Sequence, residues 1–386
     1  MDFSSSSINF EALRKKAFNG RWATIPDGVI PLTAADPDFP MAPEIISGIA
    51  DYLKDGYLSY GPFSGLDEFK ISVSKHFNLR KHGTLAANDV LAVNSAAQGM
   101  FLVANYLLNP GDEAIILDPV DFLFKKTVEV CGGIIKLCKV NTLTAAIDME
   151  SLEGLITEKT KLISICNPHN PLGKIYDKEV LLQIATIAEK HNIWLMSDEI
   201  WSDIVYDDKD FHTFSSVSDY AAQHSFTVYG FSKTYGLAGL RIGAVICKNS
   251  AVMEDFIEKS NFNSTIEGVS TLSQIGASVA LEKAWYWVEG FKKHLDYNRK
   301  MATAIINNSS ILSTTLPEAT FVIFPKITNG LSGDVFAKIA LEKGKVAIVP
   351  GVERWFGVGA EGHVRICYST SSELLEEGLN RIIKSF

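Results

Sequence analysis

The sequence is poor in the features that organise small secreted, membrane or nucleic-acid-binding chains. Cysteine is scarce: Cys131, Cys138, Cys166, Cys247 and Cys367 are an odd, scattered five with no CxxC pair. That argues against a disulfide framework or a paired-cysteine metal site and predicts reduced core thiols. No run approaches about 18 uninterrupted apolar residues, so no membrane-spanning helix is expected. The N-terminal stretch MDFSSSSINFEALRKK has no apolar segment behind a basic one, which predicts no secretory signal and a cytoplasmic location. Basic residues are in deficit, 36 against 45 acidic ones. The resulting charge of −9 gives no global field for nucleic acid or an anionic membrane. Repeats, low-complexity tracts and linkers are also missing.

What is present is apolar residue in quantity. With 386 residues, 47% of them hydrophobic, the chain can bury a large core, and two domains are expected. Short apolar runs read as buried strands: VLAVN (90–94), EAIILD (113–118), GIIKLCKV (133–140), KLISICN (161–167), IWLMSDE (193–199), SFTVYG (225–230) and GAVICK (243–248). Helical patterns lie between them, among them AAQGMFLVANYLL (96–108) and KEVLLQIATIAEKHN (178–192), the latter opened by Asp177 as an N-cap. Alternating strands and helices predict an α/β domain over 46–285 with a mainly parallel sheet. A long helical stretch, WYWVEGFKKHLDYNRKMATAIIN, then opens a smaller α+β domain over 286–386, which closes with a helix from about Ser372. Residues 1–45 read as an arm that completes the smaller domain.

Open parallel sheets bind ligands at the carboxyl ends of their strands, so the residues just after each run come first. Ser95-Ala96-Ala97-Gln98 opens a helix, and small residues there expose N–H groups suited to a phosphate. NPHNPLG (167–173) sets two asparagines before prolines, in extended or turn geometry. It either fixes an asparagine in a cleft or is an ordinary loop. Asp198 and Glu199 end an apolar strand. A buried carboxylate there needs a partner, such as a cationic ring nitrogen; otherwise the pair marks an exposed strand end or a cap. In YGFSKTYGLAGLRIG (229–243), Lys233 suits a Schiff base with a carbonyl and Arg241 suits a phosphate or carboxylate. Gly236, Gly239 and Gly243 would let the backbone approach a ligand closely.

Together these segments resemble the class I/II aminotransferases, pyridoxal-phosphate enzymes of fold type I. The resemblance rests on SKTYGLAGLRIG in order with GYLSYGPFSGLDEF (56–69), NPHNPLG, SDEI and PGVERWFGVGAEGHVRI (350–366). It implies a seven-stranded, mainly parallel sheet in the large domain and pyridoxal 5'-phosphate as cofactor. Lys233 is implied to form the Schiff base and move protons at the substrate. Asp198 is implied to pair with the ring nitrogen, Asn170 with the ring oxygen. Ser232, Arg241 and the amides of Ala96 and Ala97 would hold the phosphate. Tyr60 would reach the cofactor of a partner subunit in a homodimer. Arg365 would fork the carboxylate of the amino-acid substrate, whose amino group passes to a 2-oxo acid. Arg354 and Trp355 lie where the family borders its active site, which suits an acidic or aromatic substrate.

Four positions depart from the family's pattern. Trp201 stands where a tyrosine is usual, and its indole N–H is left as a cofactor contact. Asp121 stands where an aromatic usually stacks, leaving Phe122 or Phe124 for that task. Ser-Ala-Ala replaces a glycine-bearing phosphate cup, and Gly230 replaces a hydroxyl residue. AADPDFPMAPEI and DEIWSDIVY also resemble the cystathionine β-lyase-like branch, which cleaves C–S bonds. Aminotransfer is the expected reaction and β-elimination the alternative. A regulatory module with a degenerate site is disfavoured by intact Lys233, Asp198, Asn170, Arg241 and Arg365.

Overall fold

A computed structural model describes residues 2–207, 209–266 and 268–386. Seven strands form its main sheet: β1 (Val90–Val93), β2 (Glu113–Asp118), β3 (Ile134–Lys139), β4 (Thr160–Cys166), β5 (Trp194–Asp198), β6 (Ser225–Gly230) and β7 (Gly243–Ile246). Their spatial order is β1-β7-β6-β5-β4-β2-β3. Every pairing is parallel except those of β7, which runs antiparallel to both β1 and β6. The interior strands β2, β6 and β7 and the edge strand β1 are buried along their whole length. That is why they read as unbroken apolar runs rather than as alternations. The other edge, β3, is largely exposed and carries Lys136 and Lys139, charges that discourage further pairing.

Helices begin where the side chains can cap them. Asp177 accepts from Val180 N at 2.9 Å to open the Lys178–His191 helix, which ends at Asn192 in the left-handed conformation. The expected long helix spans Trp285–Asn307, and the final helix spans Ser372–Ile383; the two pack together. A second sheet gathers four short strands around or beside His363–Cys367 in antiparallel order.

The first forty residues join this second layer. Ile30–Pro31 pairs in parallel with Val346–Ala347, Cys367 N donates to Leu32 O at 3.0 Å, and Asp38 N donates to Ser369 O at 3.1 Å. The arm is pinned by a fully buried ion pair between Arg21 and Asp38. Trp22 Nε1 donates to the same carboxylate at 2.7 Å, and Arg21 Nη1 donates to Pro31 O at 2.8 Å. Removing one partner of such a pair leaves an uncompensated buried charge. Asp38→Asn is therefore expected to cost about 3–5 kcal/mol in urea unfolding of the cofactor-free protein. A loss below about 1 kcal/mol, the value of an exposed pair, would show that the arm is not held this way.

Candidate active site

The carboxyl ends of β4, β5 and β6, the start of the Ala96–Leu107 helix, the arm and the second sheet enclose a cleft of about 690 Å³. Of the residues singled out in the sequence, Ala96, Ala97, Asn170, Asp198, Trp201, Ser232, Lys233, Arg241 and Arg365 all line it.

Lys233 is half-buried, and its Nζ donates to Ala35 O at 2.7 Å. Burial and the nearby Arg365 push its pKa down, while Asp36 and Asp121 oppose them. The amine is thus shifted toward the neutral form that can attack a carbonyl. Asp198 is 8% exposed and faces no lysine or arginine within ion-pair distance among the described residues. Among the described residues its side chain accepts one hydrogen bond, from Ile200 N at 3.1 Å. Burial raises its pKa to about 7. A carboxylate in this position calls for a cation from a ligand.

The two asparagines of NPHNPLG do different work. Asn167 is structural: it donates to Tyr176 O at 3.2 Å and accepts from Tyr176 N at 2.9 Å. Asn170 faces the cleft, where its Nδ2 donates to Asp121 Oδ2 at 3.0 Å and its Oδ1 accepts from Arg365 Nη1 at 3.3 Å. Arg365 Nη2 reaches Thr33 O at 3.3 Å, and its Nε is buried without a partner. This guanidinium has long bonds and a spare donor, the state expected of a fork that awaits a carboxylate.

Ser95 caps the Ala96–Leu107 helix by accepting from Gln98 N at 3.1 Å. The amides of the first turn, at Ala96 and Ala97, have no partner within the helix and open onto Ser232 and Arg241. The missing hydroxyl at Gly230 has a steric cause: a Cβ there would lie 3.0 Å from Ile200 and 3.3 Å from the Ala96 methyl. A Cβ on Gly243 would lie 2.9 Å from Ala96 N, so only glycine lets β7 pass beneath this helix start.

Three expectations are corrected. Phe124 is 1% exposed and packs in the core away from the cleft, whereas Phe122 and Asp121 line it. Gly239 takes an ordinary backbone conformation with nothing within 4 Å, so no close approach requires a glycine there. Arg354 points elsewhere, bound to Asp334 at 2.6 and 3.1 Å; its neighbour Trp355 does line the cleft. Tyr60 is 97% exposed and outside this cleft. Trp201 is buried, packed edge-on to Phe321, with its ring 5.5 Å from Lys233 Nζ. Sequence reasoning missed Asn19, Gly20 and Thr33–Ala35 from the arm, and Ile348 and Val349 from the second sheet. For the arm residues, the proline-rich composition of the arm was the one signal available.

A phosphate-type cup, a nucleophilic amine and a cation-seeking carboxylate on one α/β sheet define a pyridoxal-phosphate type of site. Comparison with known proteins agrees. A sequence profile described as "Aminotransferase class I and II" matches residues 27–382. The chain is 32% identical to an aspartate aminotransferase of Pyrococcus abyssi over 92% of this chain and 91% of the relative. It is 30% identical to aromatic-amino-acid aminotransferase 2 of Thermococcus litoralis, covering 93% and 92%. Its fold superposes on cystalysin of Treponema denticola, a structure containing pyridoxal 5'-phosphate, with a TM-score of 0.91 at 25% identity, covering 100% and 98%.

The chain belongs to the class I and II aminotransferases. It is a fold-type I enzyme that depends on pyridoxal 5'-phosphate.

The burial of Asp198 and Glu199, each raised to about 7, makes a prediction for the cofactor-free protein. Both acids are favoured in the protonated form when folded, so the native state holds extra protons between the ordinary carboxylate range and about 7. Stability contributed by these groups is therefore greatest at low pH and falls as pH rises through that window. Urea unfolding of wild type and Asp198→Asn at about pH 5 and about pH 8 should show the variant losing less stability, by on the order of a few kcal/mol. An identical change in both proteins would contradict the assignment.

Proposed function

We propose that this aminotransferase works through Lys233 and moves an amino group from an L-amino acid with an aromatic or large apolar side chain to a 2-oxo acid. The observation that carries the reading is the convergence of three under-satisfied groups on one cleft: the depressed Lys233 amine, the uncompensated Asp198 carboxylate and the spare donor of Arg365. Bound pyridoxal phosphate supplies an electron sink for the substrate's α-carbon. Lys233 would hold the cofactor through its aldehyde and would carry the substrate's α-proton. Asp198 would pair with the ring nitrogen and keep it protonated, and Asn170 would donate to the ring oxygen. Ser232, Arg241 and the Ala96 and Ala97 amides, which line the cleft, would hold the phosphate. Arg365 forks the substrate carboxylate, with Asn170 and Thr33 O fixing its plane.

The relatives' names divide over aspartate and aromatic donors. Within this chain the cleft wall favours the latter. Phe122, Ile348, Val349, Trp355 and Phe356 line it, and Phe122 meets Trp355 edge-to-face at 5.5 Å. Arg354, the cation that could have met a side-chain carboxylate, is already engaged by Asp334. We also assign the protein to a homodimer. The exposed apolar residues Tyr57, Leu58, Tyr60 and Phe63 form one stretch suited to a partner, and Tyr60 would reach the partner's cofactor.

The test is a single turnover without an acceptor. Holoenzyme given phenylalanine or tyrosine should form one equivalent of 2-oxo acid without ammonia, and Lys233→Ala should form none. Trp355→Ala should lower kcat/KM for the aromatic donor by about tenfold to 100-fold, as expected when an apolar contact of one to three kcal/mol is lost. A strong preference for aspartate, unaffected by Trp355→Ala, would overturn the substrate assignment. The close superposition on cystalysin, a C–S lyase, together with Asp121 and Trp201 in the cleft wall, supports β-elimination as a second reading. It would show as ammonia and pyruvate released from cystathionine or cystine.

A further inference from the structure

Away from the cleft, His82, Asp210 and His212 form a compact cluster on the surface. His82 Nε2 lies 2.6 Å from Asp210 Oδ1, and His212 Nε2 lies 3.0 Å from Asp210 Oδ2. The two imidazoles stack nearly parallel, centroids 4.0 Å apart at 14°. Both rings therefore aim the same nitrogen at one carboxylate, and each carboxylate oxygen serves one ring. All three ligand-type atoms lie within 4.8 Å of one another. No lysine or arginine is paired with Asp210 among the described residues.

The backbone that carries these residues is held from beneath. His82 follows the Asp67–Arg80 helix in the left-handed conformation, φ 54°. Its neighbour Lys81 is fully buried against Asp203 and Ser202. Thr213 N donates to Lys81 O at 3.0 Å, so the two histidine-bearing segments are tied together one residue away from each ring. Phe211, on the other side of His212, is buried against Val205 and Ala319. The rings are thus presented on a fixed base while their tips remain reachable by solvent.

We propose that His82, Asp210 and His212 form a binding site for a divalent transition-metal ion such as Zn²⁺ or Ni²⁺. Two imidazoles and a carboxylate suit these ions, with water completing the shell. Metal–ligand bonds of about 2.0–2.1 Å require the three atoms to be about 3.4 Å apart in a tetrahedral arrangement. Reaching that value requires the two stacked rings to tilt out of their nearly parallel arrangement so that both Nε2 lone pairs point at one ion. Binding moves the Nε2 protons to Nδ1 or to solvent, and Asp210 enters as the carboxylate, so charge and protons balance. The ion would clip the end of the Asp67–Arg80 helix to the segment leading into Thr213. The Thr213 hydroxyl and the following amide, Phe214 N, both donate to Glu199 Oε1, at 3.1 and 2.8 Å. The clip therefore braces the loop behind Asp198 and takes no part in the chemistry.

The test uses full-length holoenzyme without a histidine tag, stripped with chelator and dialysed against ZnCl₂ or NiCl₂ alone, with bound metal counted. Wild type should take up one ion per chain at micromolar metal and melt at a higher temperature with it. His82→Asn, which keeps a residue tolerant of the left-handed backbone, and His212→Gln should each weaken uptake by about 100-fold, the upper end of what losing even an outer-shell partner costs. Both variants should retain aminotransfer activity. No uptake by wild type at millimolar metal, or wild-type uptake in both variants, would overturn the proposal.

Discussion

A carboxylate buried without a counter-charge is the constraint around which this protein is arranged. Asp198 closes β5 at 8% exposure, with one backbone amide as its partner. Asp203 and Asp38, also buried, are each offset by a cation of the chain. Asp203 accepts from Lys81, His76, Tyr229 and Thr234; burial alone would raise its pKa, yet Lys81 and His76 hold it well below the ordinary range. Glu199 accepts from Ser197, Thr213 and Phe214, and Asp38 from Arg21 and Trp22. Asp203 and Asp38 are thus charge-paired inside the chain, whereas among the described residues Glu199 has hydrogen bonds but no ion pair, and its Oε2 is buried without a partner. Asp198 differs from Glu199 in lining the cleft, where a cationic ligand can reach it, and that difference separates the structural acids from the proposed functional one.

The second requirement is closure over that carboxylate. Lys233 and Asp198 sit at neighbouring strand ends, so the sheet alone brings them together. Arg365 comes from the second sheet and Ala35 from the arm, and both meet Lys233 or its surroundings only because the arm threads between the layers. The Arg21–Asp38 pair that pins the arm thus acts on the site at a distance, by placing the carbonyl that receives the Lys233 amine. Asn170 joins the halves from the middle, with Asp121 on one side and Arg365 on the other.

Much of this could be read from residues in order. Strands buried on both faces leave an apolar run that stops where the ligand side begins, so Asp198, Asn170 and Lys233 stood out as the first reactive residues after such runs. Asp177 and Asn192 bounded their helix for local reasons, by side-chain capping and by tolerance of the left-handed conformation. What escaped was non-local. Thr33–Ala35 and Ile348 reach the cleft through pairing between segments more than three hundred residues apart, which leaves no periodic signal. Phe124 and Phe122 are two positions apart on one helix, and only tertiary packing turns the first into the core and the second into the cleft. Gly239 has the composition of a ligand-hugging turn without the conformation, because Arg241 takes the left-handed position instead.

The most direct test of the account is the affinity of the cofactor-free protein for pyridoxal phosphate against an analogue whose ring nitrogen is replaced by carbon. If Asp198 is the group that awaits a cation, wild type should bind the analogue more weakly by about tenfold to 100-fold, the value of a hydrogen bond between charged partners. Asp198→Asn should bind the two almost alike. Equal affinities in the wild-type protein would contradict the central claim.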